Sequence, residues 1–387
     1  MSPKHAKKVK RVKYHKILLA SLLIVSIIGG IKIYLNMHSR EVKQGEITSP
    51  TDNQNVQSID EILNTMTLEE KVAQMIMARV PETNAVDIMR TYQFGGYTLF
   101  GNDFQGKTKE QIIEENKQYQ DISKIPVLIG VDEEGGTVNR ASLYLRDTPF
   151  ASPQELYASG GYEAIITDTK EKDSFLKALG INVNFAPVVD VSSDPEDYMY
   201  PRTFGKPAKE TAEYATEVVS TMKKDQMGSV AKHFPGYGNN VNTHTEVAYD
   251  TRGYEVFEQS DFLPFEAATK AGIDSILVSH NIVECMDSRY PASLSPKVHE
   301  ILRETIDFHG VIITDDLIMN GVSEFGDSGD IAVQAVIAGN DMLFSSDPVT
   351  QYQAVLEAVK EGFISVEQID TSVKRILEWK QNIGLIK

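Results

Sequence analysis

A single cysteine, Cys285, stands in a chain of 387 residues, which excludes an internal disulfide framework and any cluster of thiolate metal ligands. With nothing to pair with, Cys285 is expected to pack as a small buried apolar side chain. The 26 Gly and 15 Pro follow no short period, so neither a collagen-like helix nor a low-complexity segment has a basis. Positive charge is scarce in the body of the chain. Residues 1–40 carry nine Lys or Arg and no acid, while the remainder carries 29 basic against 55 acidic side chains, a net of −26. A body of that sign offers no face to neutralise a phosphate backbone, so nucleic acid is excluded as a partner. There is no G-x-G-x-x-G after an early strand, no G-x-x-x-x-G-K-[ST] and no H-E-x-x-H, so nucleotide cradles and the zincin site are missing. No cofactor and no metal is expected. What is present, 41% apolar and 24% charged residues, suffices for a full core.

One apolar run stands apart. ILLASLLIVSIIGGI at 17–31 is uncharged, and Lys32 can snorkel so that the span reaches residue 35. Seven positive charges precede it and no small-x-small cleavage site follows. This predicts an uncleaved single-pass anchor with the N-terminus in the cytoplasm and the body outside. The competing reading is a cleaved signal peptide and a secreted body. No cysteine follows the run, so a lipoprotein is excluded. Residues 41–58, EVKQGEITSPTDNQNVQS, are polar without period and read as a flexible stalk. The expected organisation is a basic cytoplasmic segment at 1–16, a transmembrane anchor at 17–35, a linker at 36–58 and a catalytic body at 59–387.

The body alternates two kinds of segment. Runs rich in Val, Ile, Leu and Phe at 97–100, 127–132, 184–189, 230–233, 275–280, 311–315 and 341–345 read as buried parallel strands. An eighth is expected at 75–80, after a helix opened by the Thr67/Glu70 capping box. Between them lie stretches of helical period such as 109–123 and 210–224. Eight strand–helix repeats predict an α/β protein with a (β/α)8 TIM-type barrel, and a doubly wound open sheet is the alternative. The C-terminal 365–385 reads as an amphipathic helix with a Ser365/Gln368 capping box, a stripe of Ile369, Val373, Ile376 and Leu377, and Trp379 in the packing.

In such a barrel the chemistry sits where strands end. Polar residues gather there: Asp-Glu-Glu-Gly-Gly and Arg140 after 127–132, Asp190 and a loop to Arg202 after 184–189, Lys232 and His233 on 230–233, Ser-His-Asn at the end of 275–280, and Thr314-Asp315-Asp316. One polar strand end is ordinarily a helix cap; five on one rim exceed that role. Carboxylates, cations and an imidazole without a redox motif point to acid–base hydrolysis of a polar ligand such as a sugar.

The segments VDEEGGTVNR (131–140), NFAPVVD (184–190), RTFG (202–205), KHFPGYG (232–238) and ITDDL (313–317) resemble, in order and spacing over residues 60–387, the bacterial β-N-acetylhexosaminidases of glycoside hydrolase family 3, the NagZ type. KHFPG is the most specific of them. The resemblance implies a (β/α)8 barrel that removes terminal N-acetylglucosamine from peptidoglycan fragments or related glycans with retention of configuration. It makes Asp315 the nucleophile, with Asp316 as its competitor, and places Asp132, Arg140, Arg202, Lys232 and His233 at sugar-binding positions.

In the family the proton donor is a histidine on the loop after the KHFPG strand, within Asp-Ser-His or Asp-Thr-His. Here the loop reads Asn242-Thr243-His244, so His244 takes the histidine's place while Asn242 stands where the orienting aspartate belongs. Imidazole titrates near neutrality and can both give and take the proton; without the carboxylate its cation loses stabilisation. Two functions therefore follow from the sequence: an anchored exo-acting N-acetylglucosaminidase, or a sugar-binding pseudoenzyme impaired at Asn242. Phosphorolysis in place of hydrolysis stays open.

Overall fold

The computed structural model describes residues 58–243 and 247–387. The expected basic segment at 1–16, the apolar span at 17–35 and the linker up to residue 57 lie outside the described residues, as does His244. No helix among the described residues is long and apolar enough to cross a membrane.

Among the described residues ten strands form: β1 (Ile76–Arg79), β2 (Gly96–Leu99), β3 (Leu128–Val131), β4 (Val183–Asn184), β5 (Gly228–Phe234), β6 (Tyr249–Asp250), β7 (Ser275–Val278), β8 (Ile282–Val283), β9 (Val311–Thr314) and β10 (Leu343–Ser345). Eight of them make one parallel sheet in the order β10-β1-β2-β3-β4-β5-β7-β9. The two ends meet through one parallel bridge, Ile313 with Met342, and the Met342 N–H donates to Ile312 O at 3.0 Å. The result is a nearly closed (β/α)8 barrel, and all eight expected strands take part. Their residues are buried on both sides, inside against one another and outside against helices, which is why they read as continuous apolar runs and not as alternation.

The strand expected at 184–189 is shorter in the ladder. β4 ends at Asn184; beyond it Pro187 has no N–H to give, and contact with β5 continues irregularly, through the Val230 N–H to Ala186 O at 2.9 Å and a bridge of Val188 to Lys232. The pair β6–β8 lies outside the barrel ladder and had no signal in the sequence, because two-residue strands carry no period. Inside the barrel, Gly130 has no side chain because Phe185 and Met77 occupy that space; a Cβ there would meet the Phe185 ring at 2.6 Å. Phe185 stacks on Phe344 at 5.8 Å and Phe344 on Phe100 at 6.1 Å, which places an aromatic column beneath the mouth.

The helices start as their caps dictate. The Thr67/Glu70 box forms, as do Thr108/Gln111 and Ser152/Glu155. In the last helix, Val366–Asn382, Ser365 accepts from the Gln368 N–H at 3.1 Å, but the Gln368 side chain does not close the box. Its amide donates to Val336 O at 2.6 Å, a carbonyl at the end of a neighbouring helix that a sequence pattern does not reveal. Ile369, Val373, Ile376, Leu377 and Trp379 are buried as expected. Cys285 is not: it is exposed, in the turn that follows β8, where the chain faces solvent and no apolar element covers it.

Candidate active site

The C-terminal strand ends surround a cavity of about 620 Å³, in the range of small-ligand sites. Every barrel strand or the residue just after it supplies a wall: Arg79, Phe100, Asp132, Phe185, Lys232 with His233, Leu277, Asp315 and Phe344. Of the expected site residues, Asp132, Arg140, Arg202, Lys232, His233, Asn242 and Asp315 all line it, and Asp316 does too.

On one side the charges form a chain. Lys232 Nζ donates to Asp132 and, at 2.7 Å, to Glu134 Oε1. Glu134 also holds Arg202 by two bonds, from Nη2 at 2.7 Å and Nε at 3.0 Å, the bidentate geometry that suits guanidinium. Arg202 Nη2 reaches His233 Nε2 at 3.4 Å, and His233 Nδ1 lies 2.8 Å from Asp190 Oδ2. Because guanidinium can only donate, Nε2 of His233 is the acceptor and its proton resides on Nδ1, donated to Asp190. Burial raises the Glu134 pKa, but the charges of Arg202 and Lys232 and their hydrogen bonds outweigh it and hold the carboxyl well below the usual range.

Local folding explains the placement. Lys232 and His233 are consecutive, and a regular strand would send them to opposite faces. A register shift against β7, where Lys232 pairs Leu277 and Phe234 pairs Val278, lets both face the cavity. After β3 the chain stays extended, so Asp132 and Glu134 point one way and Glu133 the other. Glu133 accepts from the backbone N–H groups of Arg140, Ala141 and Ser142 and so shapes the loop that delivers Arg140. The Arg140 Nε is buried without a hydrogen-bond partner among the described residues. Glu134 and Asp190 were placed on the expected rim but given no role in the site, although the two-residue alternation of Asp132 and Glu134 was a usable signal.

On the opposite side stand Asp315 and Asp316. The Asp315 N–H donates to Val278 O at 3.1 Å, and its Oδ1 accepts from the Asp316 N–H at 2.8 Å. Asp316 accepts from the Ser346 N–H at 3.1 Å and from the Ser346 hydroxyl, which ties the loop after β9 to the loop after β10. Burial raises the Asp316 pKa, and the bonds from Ser346 and Ile318 offset that only in part. His280 lies behind this loop and not in the wall. Its Nε2 donates to Asp316 O at 3.0 Å, and Nδ1 meets the Ser293 hydroxyl at 2.7 Å.

A barrel with this mouth has relatives. The sequence model for the glycosyl hydrolase family 3 N-terminal domain matches residues 67–379. This chain belongs to glycosyl hydrolase family 3. It is a glycoside hydrolase, and its curated relatives are β-hexosaminidases. That of Methylococcus capsulatus is 30% identical over 268 residues, which is 69% of this chain and 79% of that protein. That of Vibrio cholerae is 29% identical over 307 residues, 76% of this chain and 90% of the relative. A solved family 3 β-N-acetylglucosaminidase from Paenibacillus sp. str. FPU-7 has a TM-score of 0.78 at 31% identity over 83% of this chain; the chain spans 63% of that structure.

Proposed function

We propose that this family 3 barrel is a retaining exo-β-N-acetylglucosaminidase acting on peptidoglycan-derived or related glycans. The observation that carries the reading is the division of one cavity into a paired network of charges and, across from it, the Asp315 carboxylate at the end of β9; the names of the relatives supply the sugar. A terminal sugar lays its apolar face on the Phe100, Phe185 and Phe344 column. Its hydroxyls meet Asp132, Arg140, Arg202, Lys232 and His233, where charge-assisted hydrogen bonds are strong and the pairing is already made. Asp315 attacks the anomeric carbon and forms a glycosyl ester while the leaving oxygen takes a proton; water then attacks the same carbon and releases the sugar with its configuration retained. Asp316 is the poorer nucleophile, since Ser346 engages both of its oxygens.

His244 is the acid and then the base in this reading, and Asn242, in the cavity wall two residues earlier, occupies the orienting position. Residues 17–35 anchor the barrel on the outer side of the membrane, within reach of the cell wall. Protease added to intact cells then releases a soluble body by cutting within 41–58; protection that is lost on lysis overturns the topology.

Turnover of an aryl β-N-acetylglucosaminide, against none or little of the matching glucoside, tests the activity. Asp315→Ala is expected to lower kcat by more than about 10³-fold with N-acetylglucosamine binding retained. A fluorosugar trap should label one peptide within 311–320. Label elsewhere, or full rate in the Ala variant, overturns the nucleophile. Binding without turnover in the unaltered protein makes it a sugar-binding pseudoenzyme.

A further inference from the structure

Thr243 is the last described residue before His244 in the chain, and it is held from both sides. Its N–H donates to the Tyr237 hydroxyl at 2.9 Å, and its own hydroxyl lies 3.1 Å from the same oxygen. Its carbonyl accepts from the Gly321 N–H at 3.0 Å, so it also touches the loop that follows β9 and Asp315. The approach there is close: a Cβ on Gly321 would meet Thr243 O at 3.2 Å and the His280 Cβ at 3.0 Å.

Tyr237 is itself fixed. Its N–H donates to Asp190 Oδ1 at 2.7 Å, and the other oxygen of that carboxylate serves His233. Its ring meets His233 edge-on at 5.7 Å. Asn240 donates both to Tyr237 O and to Asp250, each at 2.8 Å. Arg252 joins Asp250 to Asp261 and donates to Gly236 O at 3.2 Å. Gly236, at φ +122°, admits this packing because a Cβ there would lie 2.3 Å from Asp261 Oδ1. The turn from 236 to 240 is thus held by several hydrogen bonds, and from it the Tyr237 hydroxyl reaches forward to Thr243.

We propose that Tyr237 is a positioning residue: its hydroxyl locks Thr243, the residue bonded to His244, against the Gly321 loop that follows Asp315. The inference rests on His244 as the acid. Burial pushes the Tyr237 pKa up to about 12, so the hydroxyl stays neutral and keeps its proton to offer through the working pH range. Tyr237 never touches the sugar in this role; it acts through Thr243. Its contribution therefore belongs to protonation of the leaving group and not to ground-state binding.

The test compares a phenyl with a 2,4-dinitrophenyl β-N-acetylglucosaminide, the first needing protonation of its leaving group and the second hardly at all. Tyr237→Phe is expected to lower kcat/KM, which reports the glycosylation step, by about 10- to 100-fold on the phenyl substrate and by less than about three-fold on the dinitrophenyl substrate. Gly321→Ala, which presses on Thr243 from the other side, should give a smaller loss of the same pattern. In a His244→Ala background Tyr237→Phe should add less than about two-fold. Hydrogen exchange of the 237–243 and 319–323 peptides should rise together in Tyr237→Phe at unchanged melting temperature. A Tyr237→Phe enzyme with full phenyl rate, or one that loses equally on both substrates, overturns the proposal while the acid assignment stands. His244→Ala with full phenyl rate removes the acid assignment, and the positioning role falls with it.

Discussion

In the barrel mouth Glu134 is buried and receives hydrogen bonds from Arg202 and Lys232, and its carboxyl titrates far below the usual range. In the outer layer Asp173, on the helix Pro153–Ala178, is equally buried, yet neither of its oxygens has a hydrogen-bond partner among the described residues. Burial, with the charge of Asp225 adding to it, pushes that carboxyl up to about 8. The lysines differ in their partners. Lys232 sits between two carboxylates, whereas among the described residues Lys380 has only the amide oxygen of Gln74, at 2.6 Å, and burial lowers the Lys380 pKa to about 7. Burial alone therefore does not decide whether a side chain keeps its charge. Partners decide it: the mouth gives Glu134 two hydrogen-bonded counter-charges, whereas Asp173 and Lys380 have no hydrogen-bonded counter-charge among the described residues.

The largest effect should come from breaking the paired side. Glu134→Gln keeps the shape but leaves Arg202 and Lys232 without their shared anion. We expect kcat/KM on an aryl N-acetylglucosaminide to fall by about 10²- to 10³-fold, or about 3–4 kcal/mol. Steady-state kinetics check this, and a loss below about tenfold would mean that the network does not hold the sugar-binding groups in place.

The unpaired side should give smaller effects, visible in stability and absent from kcat. The Asp173 carboxyl titrates in the fold above its ordinary value of 3.8, so its contribution is complete below about pH 4 and lost as the pH rises through about 8. Asp173→Asn should then gain on the unaltered protein across that window, by about 1–3 °C in melting temperature. Lys380 has the opposite sign. Its folded value lies below the ordinary 10.5, so its contribution is complete above about pH 10.5 and lost as the pH falls through about 7. The melting temperature of Lys380→Met, measured relative to the unaltered protein, should improve from pH 9 to pH 6 by a similarly small amount. Parallel pH dependence in the two variants, or a change in kcat for either, would blur the division between mouth and shell.

How far the site was legible before folding depends on the kind of signal each residue leaves. Asp132, Arg140, Arg202, Lys232, His233 and Asp315 stood in recognisable segments at strand ends, and one cavity gathers them all. Glu134 was placed on the rim with two other acids but given no role of its own, since three consecutive carboxylates are told apart only when the extended backbone sorts them by face. Cys285 was expected inside on its chemistry alone; the turn in which it sits decided otherwise. Gln368 had a cap available at three residues' distance and turned instead to Val336, since a tertiary carbonyl competes with a local one on equal terms.

The eight strands, their alternation with helices and the rim where polar residues collect were determined by the sequence, because burial of parallel strands and helix capping are local patterns that survive in one dimension. Which charges pair across the mouth was decided only in three dimensions. Lys232 meets Asp132 one hundred residues away, Glu134 meets Arg202 across 68, and Thr243 meets Gly321 from another strand's loop. No spacing rule reaches that far, and the closing of the barrel is what brings those groups within hydrogen-bond distance.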